Sequence, residues 1–277
     1  QDRIQSPLIG SKDKTSVSID KHPDVRRMLL TMKAKVQAAR AISYFAAYQQ
    51  DFFAKSNDEA RKIEEDALIQ LLTPVVKAFS TDIGIEVANE GIQVHGGMGF
   101  IEESGAAQWL RDVRITAIYE GTNGIQANDL IGRKVAMNDG AYVDVLMSYI
   151  AQDLDKIKTF DENAYHLLRA TIEDVKAATN WLIAAFKDDA KAPACGSVHY
   201  LRMMGYLCGG WLLLKSAYIA KEKLETGQGD PVFMQSKINI ARVFAAQFLS
   251  TTPSLKTLFT NGHEDILACG DEWLQSL

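Results

Sequence analysis

The chain has 277 residues, 47% of them hydrophobic and 23% charged, enough to bury one large core or two moderate ones. Its formal charge of -5, with no long Lys or Arg run, argues against a polyanion-binding surface and so against nucleic acid as a partner. Cys195, Cys208 and Cys269 are odd in number and lack disulfide-framework spacing, which fits a reducing, cytoplasmic compartment. No stretch approaches about eighteen unbroken apolar residues and no targeting pattern opens the chain, so no membrane span is expected. Gln1 stands where an initiating methionine would, as in a sequence cut from a longer one.

Residues 1–20 mix Ser, Lys, Gly and Pro with few apolar anchors and read as an exposed lead-in. Pro23 suits a first helical position, and Val25, Met28, Leu29, Met32, Val36 and Ala39 recur at helical steps toward Phe53. After the polar break Ser56-Asn57-Asp58, a second helix carries Ile63, Ala67, Leu71, Val75 and Phe79 on one face and should lie antiparallel to the first. Pro74 within it predicts a kink or break. A loop is expected over Val94–Phe100, because each glycine there costs a helix roughly 1 kcal/mol relative to alanine.

Ser104 can cap a helix running through Trp109, Val113 and Ile118, which ends near Tyr119-Glu120-Gly121; Thr122 or Asn123 can cap the next. A sharp turn therefore presents Glu120. Beyond Asn138-Asp139-Gly140, helices are predicted over 141–159, 162–188, 196–225 and 231–250, with a shorter one near 262–275. No strand alternation or fixed repeat interrupts them, so the fold class is all-α. The organisation is a lead-in, 1–20, a helical bundle, 21–138, and an additional helical domain, 139–277.

Two segments stand apart from the helices: Gln93-Val94-His95-Gly96-Gly97-Met98-Gly99-Phe100 and Tyr119-Glu120-Gly121-Thr122-Asn123-Gly124-Ile125-Gln126. Their glycines let a main chain approach a ligand closely, and Gln93, Thr122, Asn123 and Gln126 can hydrogen-bond a polar one such as a nucleotide-like cofactor. Read alone, Gly96, Gly97 and Gly99 are more simply residues that reverse the chain between packed helices.

Together the two segments resemble paired signatures of the acyl-CoA dehydrogenase family, Q-x-x-G-G-x-G-F and the Y-E-G-T turn some twenty residues on. The likeness continues through Arg111-Asp112-Val113-Arg114 and covers about residues 1–136 as that family's C-terminal helical domain, a four-helix-type bundle. The remainder is similar to the additional helical domain of longer, bacterial-type members, including those related to 3-methylmercaptopropionyl-CoA dehydrogenase.

The resemblance implies α,β-dehydrogenation of an acyl-CoA to the trans-2-enoyl-CoA, with FAD as cofactor, an electron-transfer flavoprotein as electron acceptor and a homo-oligomeric assembly. It makes Glu120 the base that removes the α-proton. It assigns Gln93 and Gly97 to the flavin of the neighbouring subunit and Thr122 to the subunit's own. Arg3 resembles the arginine of an R-x-Q-F-G motif that meets the partner's pyrophosphate, although Ser6-Pro7 replaces Phe-Gly. Gly124 stands where many relatives carry a flavin-contacting Gln. The family's N-terminal helical and middle β-domains are absent from these residues, so the chain alone is expected to be inactive. An acyl-CoA oxidase and a non-catalytic helical interaction module are the alternatives.

The chemistry needs a base whose proton affinity is raised by an apolar, water-poor site, because a thioester α-proton is a poor acid. Other features read as structural. Cys195, His199 and Cys208 match no common zinc spacing, and no metal is expected. Glu64-Glu65-Asp66 reads as a solvated face paired with Arg61 and Lys62. Trp109, Trp181, Trp211 and Trp273 read as core residues. The small-residue run Met203–Trp211 suits close helix packing or a subunit contact.

Overall fold

A computed structural model of the chain describes residues 3–274. The lead-in is largely exposed but folds back on itself. Gln5 N–H donates to Val17 O at 2.9 Å, and Ile4 and Ser18 form an isolated antiparallel bridge. All regular structure among the described residues is otherwise helical.

Helices α1 (Pro23–Lys55) and α2 (Glu59–His95) form a hairpin whose three-residue connection forces them antiparallel. Pro23 presets the first turn of α1, and Asp58 caps α2 by accepting from the N–H groups of Ala60 and Arg61. Pro74 does not break α2, which runs on for 37 residues, with Pro74 buried inside the bundle. Packing against α1 outweighs the missing N–H of one proline. By length and apolar composition α2 could cross a membrane, yet 44% of that window is buried in the bundle.

Next come α3 (Ala106–Arg114) and α4 (Asn123–Asp129), the latter continued by a π-helical stretch, Leu130–Val135. The predicted helix 141–159 is two, α5 (Ala141–Ala151) and α6 (Leu154–Phe160). The break falls at Asp153, whose buried carboxylate accepts from Trp211 Nε1 at 2.7 Å, Tyr218 OH at 2.8 Å and Lys215 Nζ at 2.9 Å. A carboxylate with three donors fixed by another helix dictates the local chain path, which helical periodicity alone does not reveal.

Helices α7 (Glu162–Asp188), α8 (Ser197–Glu225) and α9 (Pro231–Gln247) follow, α7 and α9 capped by Asp161 and Asp230. The segment after α9 turns through Leu249–Thr251 into a further helix, α10 (Thr252–Thr260), where no helix is predicted from the sequence.

Helix α8 is the axis of the fold and packs against α1, α2, α4, α7, α9 and α10. Its run Met203–Trp211 is buried throughout and serves helix packing within the chain. A Cβ on Gly205 would stand 2.2 Å from the Phe79 ring, and one on Gly209 would stand 2.8 Å from the Ala38 methyl. One continuous core extends from Ala34 of α1 to Phe259 of α10, so the helices after Asn138 share a hydrophobic interior with those before it.

Two readings of side chains are corrected. Glu65 is fully buried, because it falls in the stripe of Leu68 and Leu72 on α2; only its Oε1 is paired, with Arg61 Nε at 2.8 Å. Trp109 is 72% exposed and Trp273 69%, since their short helices lie at the periphery, whereas Trp211 is core.

Candidate functional site at the two motif segments

The glycine-rich segment is less of a loop than its composition predicts. Helix α2 continues through Gln93, Val94 and His95, and Gly97–Phe100 forms one further helical turn. Only Gly96 needs left-handed backbone, at φ 62°, and this one residue reverses the direction. Gly99 tucks under the end of α2, where a Cβ would lie 2.2 Å from Ile92 O.

Arg3 reaches this end of α2 from the lead-in. Its Nη1 donates to His95 O at 3.3 Å, and a Cβ on Gly96 would come within 2.7 Å of that nitrogen. His95 turns its Nδ1 back to Gly91 O at 2.7 Å. Gln93 and Gly97 are exposed, and nothing lies within 4 Å of where a Cβ on Gly97 would stand. Arg3, Gln93 and Gly97 therefore share one open end of α2.

The second segment begins where α3 passes through a 3₁₀ turn, Ile115–Ala117, into a tight reversal. Glu120 has φ 55° and Gly121 φ 83°, two consecutive left-handed residues. A glutamate in that region is disfavoured by roughly 1–2 kcal/mol, so the turn persists only where its surroundings fix it. Gln126 Nε2 donates to Glu120 O at 3.3 Å, and Thr122 Oγ1 caps α4 by accepting from Ile125 N–H at 3.3 Å.

Ser104 Oγ accepts from Ala106 N–H at 3.3 Å, although the residue at the cap position of α3 is Gly105. Glu120 is exposed, and so are its neighbours Ile118 and Tyr119. The apolar, water-poor surroundings that its proposed chemistry requires are not built by the described residues.

Asn123 turns its amide to α2. Its Nδ2 donates to Asp82 Oδ1 at 2.6 Å, and its Oδ1 accepts from Lys77 Nζ at 2.9 Å. Lys77 also donates to Gly121 O at 2.7 Å. Neither role is expected from the sequence. The available signals were a lone cation amid Val75-Val76-Lys77-Ala78-Phe79 and an amide directly after the Y-E-G-T turn.

One turn beyond Asp82 on α2, Glu86 accepts from Lys35 Nζ at 2.8 Å and from Arg202 of α8. Burial would raise the Glu86 pKa, but the two cations outweigh it and hold the carboxyl below its ordinary value. Burial followed by Arg202 lowers the pKa of His199.

The structure thus sorts the predicted residues into two groups. Arg3, Gln93 and Gly97 lie at the far end of α2, while Glu120 and Thr122 lie beside its middle, near Lys77. At 1.5 Å per residue, Lys77 and Gln93 are about 24 Å apart along the helix. Among the described residues no group of three or more His, Cys, Asp or Glu is placed to hold a metal ion.

The chain is thus a helical bundle carrying a Q-x-x-G-G-x-G-F turn at one end and a left-handed Y-E-G-T turn at its side. Two family models match it: "Acyl-CoA dehydrogenase, C-terminal domain" over residues 11–135 and "Acetyl-CoA dehydrogenase C-terminal like" over residues 146–269. The chain is 38% identical over 270 residues to 3-methylmercaptopropionyl-CoA dehydrogenase of Ruegeria pomeroyi, covering 96% of this chain and 46% of that protein.

Among solved structures, Caenorhabditis elegans ACDH-11 in complex with C11-CoA matches with a TM-score of 0.65 at 24% identity, over 85% of this chain and 38% of that one. A Bacillus anthracis acyl-CoA dehydrogenase complexed with FAD matches with a TM-score of 0.63 at 17% identity, over 90% of this chain and 46% of that one. These two likenesses establish the shared helical fold. The chain belongs to the acyl-CoA dehydrogenase family, as its C-terminal helical region. It spans less than half the length of the relatives it matches.

Proposed function

We propose that the chain is the C-terminal part of a cytoplasmic, FAD-dependent acyl-CoA dehydrogenase that converts an acyl-CoA to its trans-2-enoyl-CoA, with Glu120 as the base for the α-proton. The observation that carries this reading is the left-handed backbone at Glu120. Packing does not call for a glutamate in a conformation that glycine or asparagine adopts more easily, and Glu120 is exposed.

Glu120 supplies the carboxylate that takes the proton. Ile118 and Tyr119 supply apolar surface beside it, and the remaining walls that exclude water come from the rest of the complete protein. When bound, FAD supplies the acceptor for the β-hydride. The residues at both motifs fit such a group. Gln93 offers amide donors and acceptors, Gly97 leaves open space for close approach, Arg3 offers a cation for a pyrophosphate, and Thr122 stands exposed next to the Glu120 turn.

The distance of about 24 Å along α2 between the two groups supports assigning them to different flavins in a homo-oligomer. Gln93, Gly97 and Arg3 then serve the flavin of the neighbouring subunit, and Thr122 serves the subunit's own. Electrons leave to an electron-transfer flavoprotein. The region 139–277 is an additional helical domain joined to the bundle 21–138 by a shared core.

In the complete protein, Glu120→Gln is expected to retain FAD and to lose anaerobic bleaching of the flavin by acyl-CoA. Wild-type bleaching by that variant would overturn the assignment.

A further inference from the structure

The Glu120 turn is tethered from across the fold. Two successive left-handed residues, Glu120 and Gly121, make a reversal whose direction depends on what holds its carbonyls. Gln126 Nε2 holds Glu120 O from within the same segment, at 3.3 Å. The shorter bond comes from a different helix, where Lys77 Nζ donates to Gly121 O at 2.7 Å from 44 residues away in sequence.

The same ammonium donates to Asn123 Oδ1 at 2.9 Å, and Asn123 Nδ2 donates to Asp82 Oδ1 at 2.6 Å and to Thr81 Oγ1 at 3.0 Å. The segment is thus gripped on both sides of Thr122, by one cation and one amide with partners on α2. The platform is itself anchored. Asp82 lies 3.8 Å from Arg202 of α8, and one turn on, Glu86 joins Arg202 to Lys35 of α1.

We infer that Lys77 and Asn123 are positioning residues that set the direction of the Glu120 carboxylate, acting through the Gly121 carbonyl and the first turn of α4. The inference rests on the reading of Glu120 as the base. A lysine that only stabilised the bundle would have no need of a turn carbonyl, and Lys77 is half-buried with both named acceptors in that turn. Charge-assisted bonds of this kind are the strong ones, and they fix geometry as well as adding energy. A base held slightly out of line loses rate in the proton-transfer step while substrate binding, made elsewhere, is little changed.

The test uses the complete flavoprotein and stopped-flow anaerobic bleaching by an acyl-CoA, comparing Lys77→Met, Lys77→Arg, Asn123→Ala and Glu120→Gln. The expected result for Lys77→Met and Asn123→Ala is FAD content and KM within about twofold of wild type, with the limiting bleaching rate at least tenfold lower. Lys77→Arg, which keeps a donor for the Gly121 carbonyl, should recover part of that loss. If Lys77→Met does not fold, Asn123→Ala decides by the same criterion.

Wild-type limiting rates in the Lys77→Met and Asn123→Ala proteins, with Glu120→Gln inactive, would overturn the positioning role and leave the base in place. A rate loss matched by loss of FAD and not eased by arginine would mark a purely structural tether and overturn it too. Bleaching by Glu120→Gln would remove the base assignment and this inference with it.

Discussion

Around α8 the chain supplies its own partners. Gly205 and Gly209 lie under the Phe79 ring and the Ala38 methyl, and the Asp153 carboxylate is met by an indole, a phenol and an ammonium. At the motif segments the pattern reverses. Phe100, Met98, Trp109, Ile115, Ile118, Tyr119 and Ile125 are all exposed, Gly97 faces open space and Glu120 stands in solvent. Large apolar side chains left exposed at and near each motif segment mark surfaces that expect cover. The same glycine-rich composition thus means two things: at α8 it lets helices approach, and at the end of α2 it keeps main chain accessible.

Three measurements press on that contrast. The largest effect is expected from Asp153→Ala, which leaves Trp211 Nε1, Tyr218 OH and Lys215 without their shared acceptor and should cost about 3–5 kcal/mol in denaturant unfolding of the chain. A loss below about 1 kcal/mol would show that the three donors find other partners and that the region around α8 is less self-sufficient than its geometry implies.

A smaller effect concerns Glu86, whose folded-state pKa is held below its ordinary 4.5. The stabilisation this gives is complete above the unfolded-state pKa and disappears as pH falls from about 4.5 through the folded value, because the unfolded chain takes up the proton first. Stability measured against pH should therefore fall less steeply on the acid side for Glu86→Gln than for the wild type. Identical acid slopes would remove Glu86 as a contributor.

The smallest is Phe100→Ser, a change at a residue 82% exposed, which should move the stability of this chain by no more than about 0.5 kcal/mol. A large loss would mean that Phe100 belongs to the chain's own core and not to a surface awaiting cover.

Much of the helical framework was legible in the sequence because its signals are local. Pro23 marks a helix start through its own backbone, and α1, α7 and α8 begin and end within a residue or two of the spans predicted for them. The failures share a cause. Pro74 reads as a break until the bundle holds α2 together. Glu65 reads as solvent-facing until the hairpin turns it inward. The α5–α6 break is invisible until Trp211, Lys215 and Tyr218 arrive at Asp153 from another helix.

At the candidate site it is the resemblance to the family's paired motifs that marked Glu120, Thr122, Gln93 and Gly97, with Arg3 from a partial third motif. Lys77, separated from the turn by more than forty residues, carried no local sign of its attachment to Gly121.

By itself the sequence determined an all-α chain, since periodicity and capping are properties of short stretches, and its two motif segments carried the resemblance to the family. Only the tertiary structure decided that Arg3 joins the end of α2, that this end and the Glu120 turn lie about 24 Å apart along that helix, and that Lys77 reaches the Gly121 carbonyl and Asn123 beside a left-handed glutamate. Those facts depend on contacts between residues distant in sequence, which exist only once the helices have packed.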